Sequence, residues 1–172
     1  MIISLDLLRE KYNPEIKGTI HVGAHYGQEI PEYLEAGSTK IVCFEPLPGV
    51  YKILTDRVSA LDTSKVLCYN CALGNEEGEI EMVVASNEGQ SSSVLWPAAH
   101  LIDHPDVHFI GTEIVPIKKL NSFVDEVAEC NFLVIDVQGY EYQVLQGANE
   151  ILPQIDYLYL EVNNDETYEG NK

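Results

Sequence analysis

Two glycines and an acid within the first 45 residues have the types and spacing to hold a nucleotide. In the run Gly18-Thr-Ile-His21-Val-Gly23-Ala24-His25-Tyr-Gly27-Gln28-Glu29, a short apolar strand enters a glycine turn and the turn opens a helix. Gly23 and Gly27 let the backbone turn sharply and come close to a ligand, and the following helix would aim free N–H groups at it. Glu45 lies eighteen residues past Gly27, at the tip of a second strand. Nucleotide-binding α/β folds place there the carboxylate that accepts two ribose hydroxyl bonds. A second pair of acids stands in the last quarter. Asp136 ends an apolar strand, at the edge where open α/β sheets bind ligands, and Glu141 falls in the first turn of the next helix. Each residue also has a plainer use. The glycines permit a tight turn without a ligand, Glu45 serves as a solvated loop carboxylate, and Asp136 and Glu141 accept backbone N–H bonds.

The other chemistry-bearing residues point less far. His100, His104 and His108 have the spacing of one helical face, but Pro105 interrupts any helix there, so no metal site is expected. His21 lies on a strand and His25 beyond a glycine turn, which suits hydrogen-bonding or ligand-facing roles rather than joint metal ligation. Cys68 and Cys71 form a lone C-x-x-C inside the apolar run Val66 to Leu73. A strand sends residues three apart to opposite faces, so these two, with Cys43 and Cys130, read as free thiols.

The elements that must position these residues alternate. Ser4 to Tyr12 reads as a helix closed by Asn13-Pro14, residues 18 to 25 as strand one, Gln28 to Glu35 as a helix ending at Ala36-Gly37, and Ile41 to Phe44 as strand two. Leu47 to Leu61 has the three-and-four apolar spacing of an amphipathic helix, and Lys65 to Leu73 reads as strand three. The alternation then lapses. Glu79 to Ala85 is a half-exposed strand, residues 88 to 111 carry turn chemistry suited to substrate-facing loops, and Ser91 to Ser93 are plain loop. Thr112 to Leu120 is a strand, Asn121 to Glu129 a short helix, Asn131 to Val137 a strand buried on both faces, Tyr140 to Leu152 a helix, and Tyr157 to Val162 a last buried strand.

Composition narrows the partners. The 172 residues suit a single domain, and the formal charge of −18 opposes binding to nucleic acid or to an anionic membrane surface. No apolar run reaches the ~20 residues of a membrane span, and the opening segment lacks a basic leader, so a cytoplasmic location is expected.

The ordered set Ile-His-Val-Gly-Ala-His-Tyr-Gly, Phe-Glu45-Pro46, Asn70-Cys-Ala-Leu-Gly74, Ser91-Ser-Ser93, Ile-Asp136-Val-Gln-Gly139-Tyr-Glu141 with Leu145-Gln-Gly147-Ala148, and Leu-Glu161-Val-Asn163 resembles the FkbM family of S-adenosylmethionine-dependent methyltransferases. The resemblance spans residues 18 to 164. It implies a Rossmann-like class I methyltransferase fold, an α/β sheet that is mostly parallel with helices on both faces, and methylation of a hydroxyl on a sugar or natural-product scaffold. It further implies S-adenosylmethionine held by His21, Gly23, Ala24, His25, Gly27, Glu45 and Pro46, with Asn70, Ala72 and Leu73 near the adenine and Asp136 near the methyl group. Asp136 is expected to orient the acceptor and take its proton, assisted by Glu141 or His25 and without a metal. Three departures stand out: His21 replaces an acid, His25 an asparagine, and Gln138 the glutamate of Asp-Val-Glu-Gly. The chain also stops before the family's closing antiparallel strands. A binding module without catalysis is the alternative reading. A nicotinamide-dependent oxidoreductase is weaker, because the turn lacks a full G-x-G-x-x-G.

Overall fold

The computed structural model describes residues 4–61, 63–98, 106–162 and 167–170. In chain order the elements are α1 (Leu5–Tyr12), β1 (Gly18–Val22), α2 (Ile30–Glu35), β2 (Lys40–Phe44), α3 (Pro48–Ala60), β3 (Val66–Tyr69), β4 (Ala72–Leu73), β5 (Gly78–Ala85), β6 (Phe109–Lys118), β7 (Phe132–Ile135), α4 (Glu141–Gln146) and β8 (Tyr157–Leu160). Single 3₁₀ turns cover Leu120–Phe123 and Leu152–Gln154.

Five strands form a parallel sheet in the order β3-β2-β1-β7-β8. Helices cover both of its faces, as expected. Side chains alternate across a strand, so each strand feeds two cores. Ile20, Val22, Val42, Phe44, Leu133 and Ile135 face Leu120, Phe123, Val127, Val144 and Ile151, while Ile41, Cys43, Phe132 and Val134 face Leu5, Ile30, Tyr33 and Leu54 on the helices of the other side. Strands β4, β6 and β5 make a separate three-stranded sheet. Its inner residues Ala72, Met82, Val115 and Ile117 pack with Leu47, Val50 and Tyr140.

Several boundaries differ from the reading of the sequence. Strand β1 stops at Val22 rather than residue 25, because Gly23 turns the chain with φ +80°. The expected strand from 65 to 73 is two strands in two sheets. It breaks at Asn70, whose side-chain amide leaves the strand direction to donate to the carbonyls of Glu45 and Pro46, each at 2.8 Å. The expected helix from 140 to 152 is the six-residue α4. Gly147 ends it, packed so closely on the Gly74 carbonyl that a Cβ there would overlap the carbonyl oxygen. Helix α2 begins only at Ile30, and the segment expected as a helix from 121 to 129 is a 3₁₀ turn followed by further turns. All four cysteines are free thiols. His100, His104 and Asn163 lie outside the described residues, and the backbone N–H of His108 donates to Ser86 Oγ.

Candidate active site

Register alone assembles the site. In the parallel sheet Val22 stands opposite Phe44 on one side and Ile135 on the other, so the next residues, Gly23, Glu45 and Asp136, emerge together at the C-terminal edge. On the far side Ile135 pairs with Leu160, which puts Glu161 beside Asp136. Ligands bind at this edge of open α/β sheets because the strands end there and loops take over.

Gly23 is required by the sheet itself. A Cβ at this position would overlap the carbonyl oxygen of Asp136, and φ +80° disfavours any side chain. Gly27 also has positive φ, at +68°, but its missing Cβ leaves room for Ile30 and Leu54 in the core and not for a ligand. The turn spends much of its own hydrogen-bonding capacity. The N–H groups of Gly23 and Ala24 both donate to the Phe44 carbonyl at 3.0 Å, Gly27 N–H donates to Ala24, and His25 N–H donates to Glu45. At the start of α2 the Ile30 N–H donates to the Gly27 carbonyl and Pro31 has no N–H, so those two positions offer a ligand no helix N–H.

Glu45 is the most constrained acid of the site. It is 5% exposed, and its two carboxylate oxygens accept N–H bonds from His25 and Leu47, each at 2.9 Å. Each oxygen keeps a further lone pair. Burial pushes its carboxyl up to about 7, against those two N–H bonds, which pull it down. Asn70 holds the same corner from behind through the Glu45 and Pro46 carbonyls.

His25, at φ +48°, is a clamp. Its Nε2 lies 3.0 Å from the Glu88 carbonyl oxygen, which can only accept, so Nε2 carries the hydrogen and Nδ1 accepts from the Gln28 amide at 3.0 Å. Both ring nitrogens are thereby occupied. His21 is buried on the opposite face, its Nδ1 3.2 Å from the Tyr33 hydroxyl, and burial lowers its pKa so that the ring is neutral.

Asp136 Oδ1 accepts from the Gln138 amide nitrogen at 2.7 Å, and the same nitrogen reaches Glu161 Oε2 at 3.2 Å. Burial, followed by the Asp136 carboxylate, pushes Glu161 up to about 7. Glu141 faces the other way. Its Oε1 accepts from the N–H groups of Val137 at 3.2 Å and Gly139 at 3.1 Å, which fixes the turn between β7 and α4, and burial raises its pKa. Glu161 had no assigned role in the sequence. The signal was its place at the end of the last buried strand, where parallel pairing aligns it with Asp136.

These residues line two connected spaces. One is a cleft between the sheet edge and the loop after β5. Glu45, Pro46, Ala72, Leu73, Met82 and Val94 line it, and so do Gly23, His25 and Asp136. The other is a polar hollow lined by His21, Ala24, Gln28, Glu29, Ser91 and Asp136. Gly23, His25, Gln90, Asp136 and Gln138 border both. Of the residues expected at the site, Gly27, Asn70 and Glu141 stand behind the walls, and the rest line them. Met82, Val94 and Tyr140 were not foreseen as cleft residues. Ser92 Oγ and Ser93 Oγ anchor the covering loop, accepting from the N–H of Ala85 and donating to the Gln138 carbonyl. Among the described residues no three or more of His, Cys, Asp and Glu are grouped to hold a metal ion. No helix of the described residues is long and apolar enough to cross a membrane.

Residues 21–172 match the family described as Methyltransferase FkbM domain. The chain is 26% identical over 172 residues to the 2-O-methyltransferase NoeI of Sinorhizobium fredii, covering 95% of this chain and 69% of that one. It is 25% identical to Methyltransferase 1 of Beauveria bassiana, over 64% of this chain and 49% of the relative. The crystal structure of Methyltransferase FkbM from Methylobacillus flagellatus superposes with a TM-score of 0.59 at 13% identity, covering 86% of this chain and 33% of that one. That likeness is one of fold. The chain thus spans between a third and about two thirds of these proteins, and it belongs to the FkbM methyltransferase family.

Proposed function

We propose that the chain is an S-adenosylmethionine-dependent O-methyltransferase acting on a hydroxyl of a saccharide or a small natural-product-like molecule. The observation that carries the reading is Glu45, a buried carboxylate fixed by two backbone N–H bonds in the wall of a largely apolar cleft that adjoins a polar hollow. The residues present suit the adenine, the ribose and the sulfur of this cofactor. Ala72, Leu73, Met82 and Val94 offer apolar walls to an adenine, the free lone pairs of Glu45 suit two ribose hydroxyls, and Asp136 suits a cationic sulfur. Oxygen as the acceptor atom is supported by the name of the NoeI relative, and the saccharide class by the resemblance to the family.

When bound, the cofactor supplies a methyl group on a positively charged sulfur, so the leaving group needs no protonation. The chain's task is then to hold the acceptor and accept its proton. Asp136 borders both the cleft and the hollow, and we assign it both duties. His25 holds the covering loop through Glu88, and Glu141 holds the 137–139 turn that carries Gln138.

The test is transfer of a labelled methyl group from S-adenosylmethionine to a panel of hydroxylated acceptors, mono- and oligosaccharides included. Asp136→Asn should keep cofactor affinity within a few-fold while lowering turnover by roughly 10² to 10⁴, the span of a lost general base. Cofactor binding without transfer to any acceptor would favour the non-catalytic alternative.

A further inference from the structure

We infer that Glu161, joined to Asp136 through the Gln138 amide, makes Asp136 one half of a two-carboxylate unit that shares a proton, and that this unit receives the acceptor's proton during methyl transfer. The inference rests on the function proposed above and assigns a positioning role to a residue that does not itself line the cleft.

The geometry is set by the backbone. Residues aligned in neighbouring parallel strands project to the same face with the strands about 4.8 Å apart, and Asp136 and Glu161 immediately follow the aligned pair Ile135 and Leu160. Gln138 then fixes the two acids relative to each other. Carboxylates can only accept while ionised, so the amide nitrogen must face them, giving a hydrogen to Asp136 Oδ1 at 2.7 Å and one to Glu161 Oε2 at 3.2 Å. The amide oxygen is left to Tyr168, whose hydroxyl lies 3.1 Å from it and 3.1 Å from the Ser91 carbonyl oxygen. Gln138 cannot drift, because its backbone is left-handed at φ +56° and its carbonyl accepts from Ser93 Oγ at 2.7 Å.

Two carboxylates on one site do not both stay ionised as easily as one alone. Glu141 from α4 and Tyr168 face both Glu161 and Asp136, and Tyr33 and neutral His21, themselves beside Glu29, face Asp136. Burial and the neighbouring Asp136 carboxylate bring Glu161 to about 7, while the Gln138 hydrogen bond pulls it down. The unit therefore takes up a proton near neutral pH, which a base working there needs. In the step itself, the acceptor oxygen forms a bond to the donor's methyl carbon and the carbon–sulfur pair stays on sulfur. The hydroxyl proton passes to Asp136 and is shared with Glu161. The reacting unit is the fully ionised one.

The test counts protons. Calorimetry at pH 7 in buffers of different ionisation enthalpy gives the protons released when S-adenosylmethionine and S-adenosylhomocysteine bind. The two share adenosine and amino-acid ends, so their difference isolates the charged sulfur. A unit half protonated at pH 7 should release about half a proton more for S-adenosylmethionine. Glu161→Gln should abolish that difference and flatten the dependence of turnover on pH between 6 and 8 at saturating cofactor. Gln138→Met removes the hydrogen bonds that pull the unit down, so it should enlarge the difference and move the turnover midpoint to higher pH. A purely structural role would move neither, and the second variant decides the matter if the first does not fold. Equal proton release for the two compounds in the wild type, or a wild-type pH profile in the variant that folds, overturns the inference and leaves the proposed function intact. Failure of the wild type to bind either compound refutes both.

Discussion

Cofactor affinity should depend on pH through Glu45. The ribose hydroxyls need an ionised carboxylate to accept their hydrogens, and burial brings this carboxyl to about 7 in the free protein. If only the ionised form binds, the apparent dissociation constant is multiplied by one plus the ratio of protonated to ionised Glu45, about elevenfold at pH 6 and about 1.1-fold at pH 8. Binding should thus tighten roughly tenfold across that interval. Stability runs the other way. The folded-state pKa of about 7 exceeds the ~4.3 of an unperturbed glutamate, so the folded protein holds this proton more tightly than the unfolded chain does. The Glu45 contribution is fully present below about pH 4 and is lost as pH rises through about 7. Calorimetric titration with S-adenosylhomocysteine, whose sulfur is neutral, reads the affinity without involving the charged sulfur. Glu45→Gln should bind weakly at both pH values, because its amide would set an N–H group against the N–H of either His25 or Leu47. Affinity constant within twofold from pH 6 to 8, or a Glu45→Gln variant that binds like the wild type, would refute the assignment.

Three further outcomes follow from the packing. Gly23→Ala should lower thermal stability by about 2 kcal/mol or more, since its Cβ meets the Asp136 carbonyl and φ is positive; a melting temperature equal to the wild type's would contradict this. Glu141→Ala should cost about 1 to 3 kcal/mol by orphaning the Val137 and Gly139 N–H groups, whereas Glu141→Gln, which keeps an acceptor oxygen, should retain most of the stability and the turnover. His25→Ala should raise hydrogen exchange in residues 86–92 and weaken cofactor binding several-fold, without the loss of turnover expected of Asp136→Asn.

The sequence carried the fold through its long apolar runs. Residues 41–44 and 132–135 are continuous apolar runs and 18–22 leads into the glycine turn, so their order and parallel sense followed from the alternation with helices. Glu45 and Asp136 were visible because a strand's end is marked by the first polar residue after the run. Other features depended on contacts that no local pattern encodes. Gly23 was expected to make room for a ligand, and the neighbour it makes room for is Asp136, 113 residues away in sequence. The break at Asn70 is set by the carbonyls of the two residues that follow β2, and the end of α4 at Gly147 by the carbonyl of Gly74. Glu161 became meaningful only once β8 was known to pair in register with β7.

The most direct measurement is a crystal structure with S-adenosylhomocysteine. Both ribose hydroxyls should lie within about 2.5 to 3.0 Å of the Glu45 carboxylate oxygens. The adenine should lie between Leu73 and the loop after β5, and the sulfur on the side of Asp136. A ligand bound elsewhere, or one bound here whose ribose leaves Glu45 untouched, would contradict it.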